Sequence, residues 1–360
     1  MGLYDVTRDE LADLLADQAS YRVTQIWDGL YRHGTAPGDL TVLPLQLRAR
    51  LAGNGALAPS LQADAQLEAD RGATVKWRWA LSDGRRIETV LMRMSSERPA
   101  APDRANPRAT VCVSSQAGCA MACGFCATGQ AGFDRNLTTG EIVEQVVRAR
   151  TEATRRGWRL TNVVFLGMGE PLANYDRVWP AVRRLHDDVG LSARHLTIST
   201  IGIVPGIRRL AHEDLPVSLA VSLHAANDEL RSRLVPVNRR YPLAALTEAC
   251  RVWQIAKGRR LSLEWALIHG VNDRRSDVVE LAELARSLAA HVNLIPLNPT
   301  PGFATRGTPP EGVRAFRDRL ADRGVNVTVR HNRGTDIAAA CGQLAAAVAG
   351  PEPAAAAEAR

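Results

Sequence analysis

With 360 residues, 46% of them hydrophobic, and no apolar run approaching the roughly 18 residues of a membrane span, the chain can bury a full core and reads as one large domain plus a small one. The start, Met1-Gly2-Leu3-Tyr4-Asp5, lacks a charged segment followed by an apolar one, so no secretory signal and a cytoplasmic location are expected. Lys and Arg number 45 against 38 Asp and Glu, a formal charge of +7 that favours a polyanionic partner. Arginine dominates, in doublets such as Arg155-Arg156, Arg239-Arg240 and Arg274-Arg275, and its planar fork suits phosphate; a GC-rich coding bias explains the same residues equally well.

Residues 7–57 carry the first periodic pattern, with Leu11, Leu14, Leu15, Val23, Ile26, Trp27, Leu30 and Tyr31 at spacings that predict short amphipathic helices. The stretch 21–34, with Arg22, Arg32 and His33 around its aromatics, either faces nucleic acid or packs its rings inward. From 67 to 94 the period changes to two. Thr74 to Leu81 alternates, Ser82-Asp83-Gly84 is turn chemistry, and Ile87 to Met92 makes the return run of a β-hairpin. Glu88 lies in that return strand, where a lone carboxylate is ordinarily solvated. Residues 95–107, rich in Pro, Arg and Asp, read as a linker.

From Ala109 onward strands and helices alternate. Apolar runs at 109–114, 162–166, 195–200, 216–223, 261–268 and 291–297 read as buried strands, with helices at 138–157, 175–189, 205–212, 242–256 and 276–290. Thr138 and Glu141 form a capping box at the head of the first helix. Six strand-helix units predict an α/β fold built on an incomplete parallel barrel, whose functional groups gather at the strands' C-terminal ends. A last strand at 325–330 precedes a helix of small residues. The chain thus divides into a helical segment 1–66, a hairpin and linker 67–104, a barrel 105–344, and an Ala/Pro tail 345–360 that should be disordered.

Six cysteines in such a chain point to metal or catalysis rather than a disulfide framework. Cys119-Ala120-Met121-Ala122-Cys123-Gly124-Phe125-Cys126 places three thiols on one loop after the first barrel strand. A structural zinc site needs a fourth ligand, which only a distant His could supply. A [4Fe–4S] cube held by three thiolates leaves one iron open to a chelating ligand. Cys250 falls in the helical pattern of Leu243, Leu246 and Trp253 and reads as core, which leaves Cys112 and Cys341. Cys341 stands among small residues, where a free thiol is usually a buried apolar group. The other strand ends carry Gly167-Met168-Gly169-Glu170-Pro171, Ser199-Thr200, Ser222-Leu223-His224 and Asn298-Pro299, short polar clusters that could bond ribose, carboxylate or adenine, with Glu170 an anion for an ammonium.

The Cys loop alone resembles the signature of the radical S-adenosylmethionine (SAM) enzymes. More specific matches are Cys112-Val113-Ser114-Ser115-Gln116-Ala117-Gly118-Cys119, Gly132-Phe133-Asp134-Arg135-Asn136-Leu137-Thr138, the Gly-Met-Gly-Glu-Pro turn, Ser222-Leu223-His224-Ala225, and Arg333-Gly334-Thr335-Asp336-Ile337 through Cys341-Gly342-Gln343-Leu344. Together they resemble the dual-specificity ribosomal and transfer RNA adenine carbon-2 methyltransferases, the RlmN family. The likeness runs from about residue 85 to 344 and is fainter over the N-terminal helices, which in that family form an accessory RNA-binding domain. One departure is Ile201, where a small polar residue is common.

The resemblance implies a (β/α)6 radical-SAM barrel with a small N-terminal helical accessory domain and a connecting β-hairpin. It implies a [4Fe–4S] cluster on Cys119, Cys123 and Cys126, and two SAM molecules per turnover, with Gly169, Glu170, Ser199, Ser222, Leu223, His224 and Asn298 as SAM contacts. In such a family a first SAM methylates Cys341, and a 5′-deoxyadenosyl radical from a second takes a hydrogen from the S-methyl group. The methylene carbon then adds to carbon-2 of adenine, Glu88 takes the proton, and Cys112 attacks the sulfur to leave a transient disulfide. The implied substrates are an adenosine at the peptidyl-transferase centre of 23S rRNA and the adenosine 3′ of certain tRNA anticodons, each splayed from its stack. A flavodoxin-type electron donor and a monomeric working unit belong to the same expectation. A Cfr-like sister family modifies carbon-8 with nearly the same residues, and the Gly-Met-Gly-Glu-Pro spelling leans toward carbon-2. Another radical SAM enzyme, such as a glycyl-radical activase, and a non-catalytic iron–sulfur protein that binds RNA are the remaining alternatives.

Overall fold

Three short helices begin the computed structural model, which describes residues 2–94, 107–330 and 332–345. Helix α1 (Arg8–Leu14) opens on Thr7, whose hydroxyl accepts from the Glu10 amide at 3.2 Å while the Glu10 carboxylate accepts from the Thr7 amide at 2.8 Å. Helix α2 (Tyr21–Asp28) runs into a π-turn (Gly29–His33), and α3 (Leu45–Ala52) follows. Their rings turn inward: Tyr31 lies 5.5 Å from Tyr4 and 4.5 Å from Trp27 between centroids, and Trp27 Nε1 donates to Asp188 at 2.8 Å. Packing, not solvent, therefore takes the aromatics of this stretch, Tyr21 excepted.

The strands follow in chain order as β1 (Leu61–Ala69), β2 (Thr74–Leu81), β3 (Arg86–Arg93), β4 (Arg108–Cys112), β5 (Gln116–Gly118), β6 (Phe133–Asn136), β7 (Arg159–Phe165), β8 (Leu196–Thr200), β9 (Ser218–Ser222), β10 (Ser262–Leu267), β11 (His291–Pro296) and β12 (Asn326–Val329). All but β5 and β6 form one ten-stranded sheet in the order β1-β2-β3-β4-β7-β8-β9-β10-β11-β12. In that sheet β1 to β4 pair antiparallel, and the pairings from β4 through β7 to β12 are parallel. The expected incomplete barrel is there, with seven parallel strands instead of six because β12 joins the edge of β11.

Helices cover the outer face. Helix α4 (Ala127–Ala131) follows the Cys loop, and α5 (Thr139–Arg155) starts at the expected capping box, with Thr138 Oγ1 3.1 Å from the Glu141 amide and the Thr138 amide 2.8 Å from the Glu141 carboxylate. It buries Ile142, Val143, Val146 and Val147 against the sheet, each contributing about 1.5–3 kcal/mol. Then come α6 (Tyr175–Asp187), α7 (Val204–His212), α8 (Asp228–Leu234), α9 (Leu243–Lys257), α10 (Arg275–Ser287) and α11 (Pro310–Ala321). Cys250 on α9 is buried in the core, as its pattern suggested. No helix among the described residues is long and apolar enough to cross a membrane.

Strand alternation decides which side chains meet the site. On β2 and β3, Trp79 and Thr89 face outward: Trp79 Nε1 donates to Thr89 Oγ1 at 2.9 Å, and that hydroxyl donates to Gln145 of α5 at 2.8 Å. The opposite parity puts Lys76, Glu88 and Val90 on the inner face, with Cys112 paired to Val90 across β3 and β4.

The structure corrects the sequence reading in four places. The boundary drawn at 66/67 falls inside β1, so the hairpin is a three-stranded extension beginning at Leu61; only Leu61 and Ala69 of that edge strand are buried, which erases its alternation. The strand expected to run to residue 114 stops at Cys112, and β5, paired with β6, intervenes before the Cys loop. Helices α8 and α11 were not expected; the Val313, Phe316 and Leu320 stripe of α11 sits behind the Pro/Gly-rich stretch 299–312. After β12 a single 3-10 turn (Thr335–Ile337) replaces the small-residue helix, because Gly334, Ala338 and Gly342 all take positive φ. The linker over 95–106 and the tail over 346–360 lie outside the described residues.

Candidate active site

The three clustered cysteines sit between β5 and α4, on a loop pinched at its base where the Cys119 amide donates to the Gly132 carbonyl at 2.6 Å. Gly118 turns the chain into this loop at φ +74, and a Cβ there would stand 2.2 Å from the Gly132 oxygen. The loop closes on itself through the Cys126 amide and the Cys123 carbonyl, 3.1 Å apart. All three sulfurs line one cavity at the C-terminal ends of the parallel strands. Burial pushes the Cys119 thiol up to about 12 and raises that of Cys123 as well, and neighbouring sulfurs add to both shifts.

The strand-end clusters meet at the same cavity. Gly169 borders it at φ +98, with space for a Cβ denied by Gln116 at 2.5 Å. Glu170 is 3% exposed; it accepts the amides of Leu172 at 3.0 Å and Ile201 at 2.8 Å, and burial lifts its carboxyl to about 7. Ile201 serves through its backbone, since its carbonyl also accepts Arg231 Nη2 at 2.6 Å, so the unusual side chain there forfeits neither contact. Ser199 and Ser222 line the wall, and the Ser199 hydroxyl is buried without a hydrogen-bond partner among the described residues.

His224, at φ +61, accepts the Ala266 amide on Nδ1 at 3.0 Å and lies edge-on to Phe125 of the Cys loop, 4.8 Å between centroids. Burial holds its pKa down to about 3, so the ring is neutral with its proton on Nε2. Asn298 lines the cavity while its amide donates to the Cys341 carbonyl at 3.0 Å and its oxygen accepts Asn332 Nδ2 at 2.7 Å. Leu223, between two lining residues, buries its side chain in the hydrophobic core at 1% exposure, and its amide donates to the Glu264 carbonyl at 2.9 Å.

Cys341 rides on the segment after β12, which runs back across the inner face toward β1 to β3. The Ala127 amide donates to the Gly342 carbonyl at 2.8 Å, tying the segment to the Cys loop. The Gly334 amide donates to Asp70 at 3.1 Å, tying it to the hairpin. Cys341 borders the cavity lined by the three cysteines and a second one that also contains Cys112. Burial pushes the Cys112 thiol up to about 12, with the Cys341 sulfur the next cause. Glu88 lies apart from both, in a third opening on the far side of the Cys341 segment. It is 4% exposed rather than solvated, and Lys76 Nζ stands 3.1 Å from its Oε1.

Sequence reasoning missed four supporting residues. Arg231, fully buried, bonds the carbonyls of Leu223 and Ile201 and the Asn238 side chain, and burial lowers it to about 10. Glu264 lines the cavity of the three cysteines and accepts from Asn293 Nδ2 at 2.9 Å. Arg330 shares the second cavity with Cys112 and Cys341, and the Cys341 sulfur is the foremost cause holding its guanidinium above the ordinary value. Lys76 is the fourth. Only the Glu264 position carries a hint, a charge inside the otherwise apolar run of β10.

The description "Radical SAM superfamily" fits residues 113–285. A crystal structure of a radical SAM methyltransferase from Sphaerobacter thermophilus superposes with a TM-score of 0.89 at 48% identity, covering 96% of this chain and all of that one. The "Dual-specificity RNA methyltransferase RlmN 1" of Myxococcus xanthus is 47% identical over 351 residues, 96% of this chain and 94% of its own. A Frankia casuarinae protein named "Probable dual-specificity RNA methyltransferase RlmN" is 50% identical over 363 residues, 97% of this chain and 83% of its own.

The chain belongs to the RlmN family. It is a SAM-dependent radical methyltransferase that acts on RNA. Membership in RlmN implies a [4Fe–4S] cluster and SAM, and the residues present fit both. The Cys119 and Cys123 thiols, raised by burial, need a compensating cation to exist as thiolates, which iron would supply. The unpartnered Ser199 hydroxyl and the turn at Gly169 leave a polar atom and a close backbone approach for a ligand in the same cavity.

Proposed function

We propose that this RlmN chain methylates carbon-2 of adenosine, in 23S rRNA at the peptidyl-transferase centre and in tRNA at the adenosine 3′ of the anticodon, with Cys341 carrying the methyl group between cofactor and base. The observation that carries this reading is the position of Cys341, which opens onto the cofactor cavity on one side and onto Cys112 on the other. When bound at Cys119, Cys123 and Cys126, the cluster and SAM supply a one-electron route to an electron-poor ring carbon. The protein's own groups do the rest. Gly169, Glu170, Ser199, Ser222, His224 and Asn298 border the space in which SAM would bind. Arg330 sets a positive charge in the cavity that Cys341 and Cys112 share. Cys112 then displaces the methylated base by forming a disulfide with Cys341, re-reduced each cycle. Glu88 receives the proton of carbon-2. Residues 1–66 extend the RNA-contacting surface of the barrel at 105–344, and a flavodoxin-type reductant feeds a monomer.

Anaerobically reconstituted protein, given SAM, a reductant and unmodified rRNA or tRNA, should yield 2-methyladenosine on mass spectrometry of the digested RNA. Cys341 of the purified protein should be one methyl group heavier. A methyl at carbon-8 overturns the assignment of position, and a Cys341→Ala variant with undiminished RNA methylation overturns the assignment of carrier.

A further inference from the structure

The Lys76 and Glu88 pair is buried to a degree that demands an explanation, with side chains only 9% and 6% exposed. Placing two charges in a low-dielectric interior costs several kcal/mol per ion, and their attraction offsets this only where the remaining hydrogen-bonding capacity is also used. Here it is used on one segment. Lys76 Nζ donates to the Glu88 carboxylate and, at 3.3 Å, to the carbonyl of Ala338. The other Glu88 oxygen accepts the amide of Ala345 at 3.2 Å. Ala338 and Ala345 lie three residues before and four after Cys341. The pair therefore grips the backbone on both sides of that thiol, from strands more than 250 residues away in sequence.

Register supports a built arrangement over an incidental one. Across β2 and β3, Glu88 is opposite Arg78 and Lys76 is opposite Val90, so the ion pair is a diagonal contact on the inner face, the face that carries Cys112 one strand further on. Ala338 holds a left-handed φ of 50°, a conformation an L-residue adopts at a cost, and its carbonyl is the one Lys76 takes.

We propose that Lys76 is a positioning residue that sets Glu88 and Cys341 in register, one ammonium hydrogen on the proton acceptor and another on the segment of the methyl carrier. This rests on the reading of Glu88 as base and Cys341 as carrier. The step it serves is a proton transfer: the carbon-2 C–H bond breaks, its electron pair stays with the ring, and an O–H bond forms on Glu88. The Ala345 amide must release Glu88 for a base to reach it, whereas the Lys76 contact can persist throughout and keep the carboxylate aimed.

The test compares wild type with Lys76→Met and Lys76→Arg in the full, cluster-loaded chain. Three readouts are taken: amide hydrogen exchange of residues 334–345 without RNA, methyl on Cys341, and methyl on RNA. For Lys76→Met, exchange in 334–345 should quicken at least tenfold, Cys341 should still be methylated within about threefold of wild type, and RNA methylation should fall at least tenfold, with protein covalently joined to RNA accumulating. Lys76→Arg should recover much of the loss. Unchanged exchange together with RNA methylation within threefold of wild type overturns the proposal. So does an equal loss of Cys341 and RNA methylation with exchange quickened throughout the chain, which marks a merely structural role. If wild type itself leaves RNA unmodified, the reading of the reaction has failed, and the exchange comparison alone decides whether Lys76 holds the segment.

Discussion

His224 offers a prediction whose size can be worked from its surroundings. Its Nδ1 accepts the Ala266 amide, the ring is buried, and burial first, then the Arg231 charge, holds its pKa near 3. An unfolded His titrates near 6.5, so the folded value is depressed and the unfolded chain binds the proton first. Stability is therefore intact above about pH 6.5 and falls as the pH drops toward 3, below which both states are protonated. Between pH 7 and pH 5 the gap is about 1.5 units at about 1.36 kcal/mol each, or about 2 kcal/mol. A His224→Gln variant keeps an acceptor for the Ala266 amide but cannot be protonated. Urea unfolding followed by tryptophan fluorescence should find the wild type losing about 2 kcal/mol more than the variant over that interval. The other titrating groups are shared and cancel in the comparison. Parallel losses, within about 0.5 kcal/mol, would refute the claim that the neutral ring is a condition of the fold.

Gly169→Ala should lower SAM affinity at least tenfold by equilibrium dialysis, because φ +98 strains any L-residue by about 1–3 kcal/mol and the new Cβ would meet Gln116 at 2.5 Å; unchanged affinity would remove that turn from the ligand's wall. Arg330→Met should slow methylation of Cys341 about tenfold in intact-protein mass spectrometry, since it removes the cation beside that sulfur. An unaltered rate would mean that Arg330 serves Glu264, 3.9 Å away, and not the thiol.

How much of this was legible in the chain follows from where each kind of residue sits. The parallel strands announce themselves as apolar runs because both faces of the sheet are covered, and the capping box at Thr138 is a local signal read within four residues. Edge strand β1 does not, since it has little apolar surface to alternate. The three clustered cysteines, the Gly-Met-Gly-Glu-Pro turn and His224 can be singled out because reactive groups at strand ends stand out against an apolar background. Leu223, by contrast, is an apolar residue within one of those polar clusters, and its side chain packs into the core as its type suggests.

The supporting charges escaped for a different reason. Lys76 looks like any polar residue in an alternating hairpin, and Arg231 like one more arginine on a helix. Their meaning resides in partners far off in sequence, the Ala338 carbonyl for Lys76 and the Ile201 carbonyl for Arg231. Both bring a cation to backbone that would otherwise be free to move, Arg231 beneath the cofactor cavity and Lys76 beside the Cys341 segment. A barrel can supply strand ends, but it cannot by itself fix a loop 250 residues downstream against its first hairpin; an ion pair that uses its remaining hydrogen bonds on that loop can. The candidate site residues are thus readable one at a time, while the geometry that holds them in place is written in pairs.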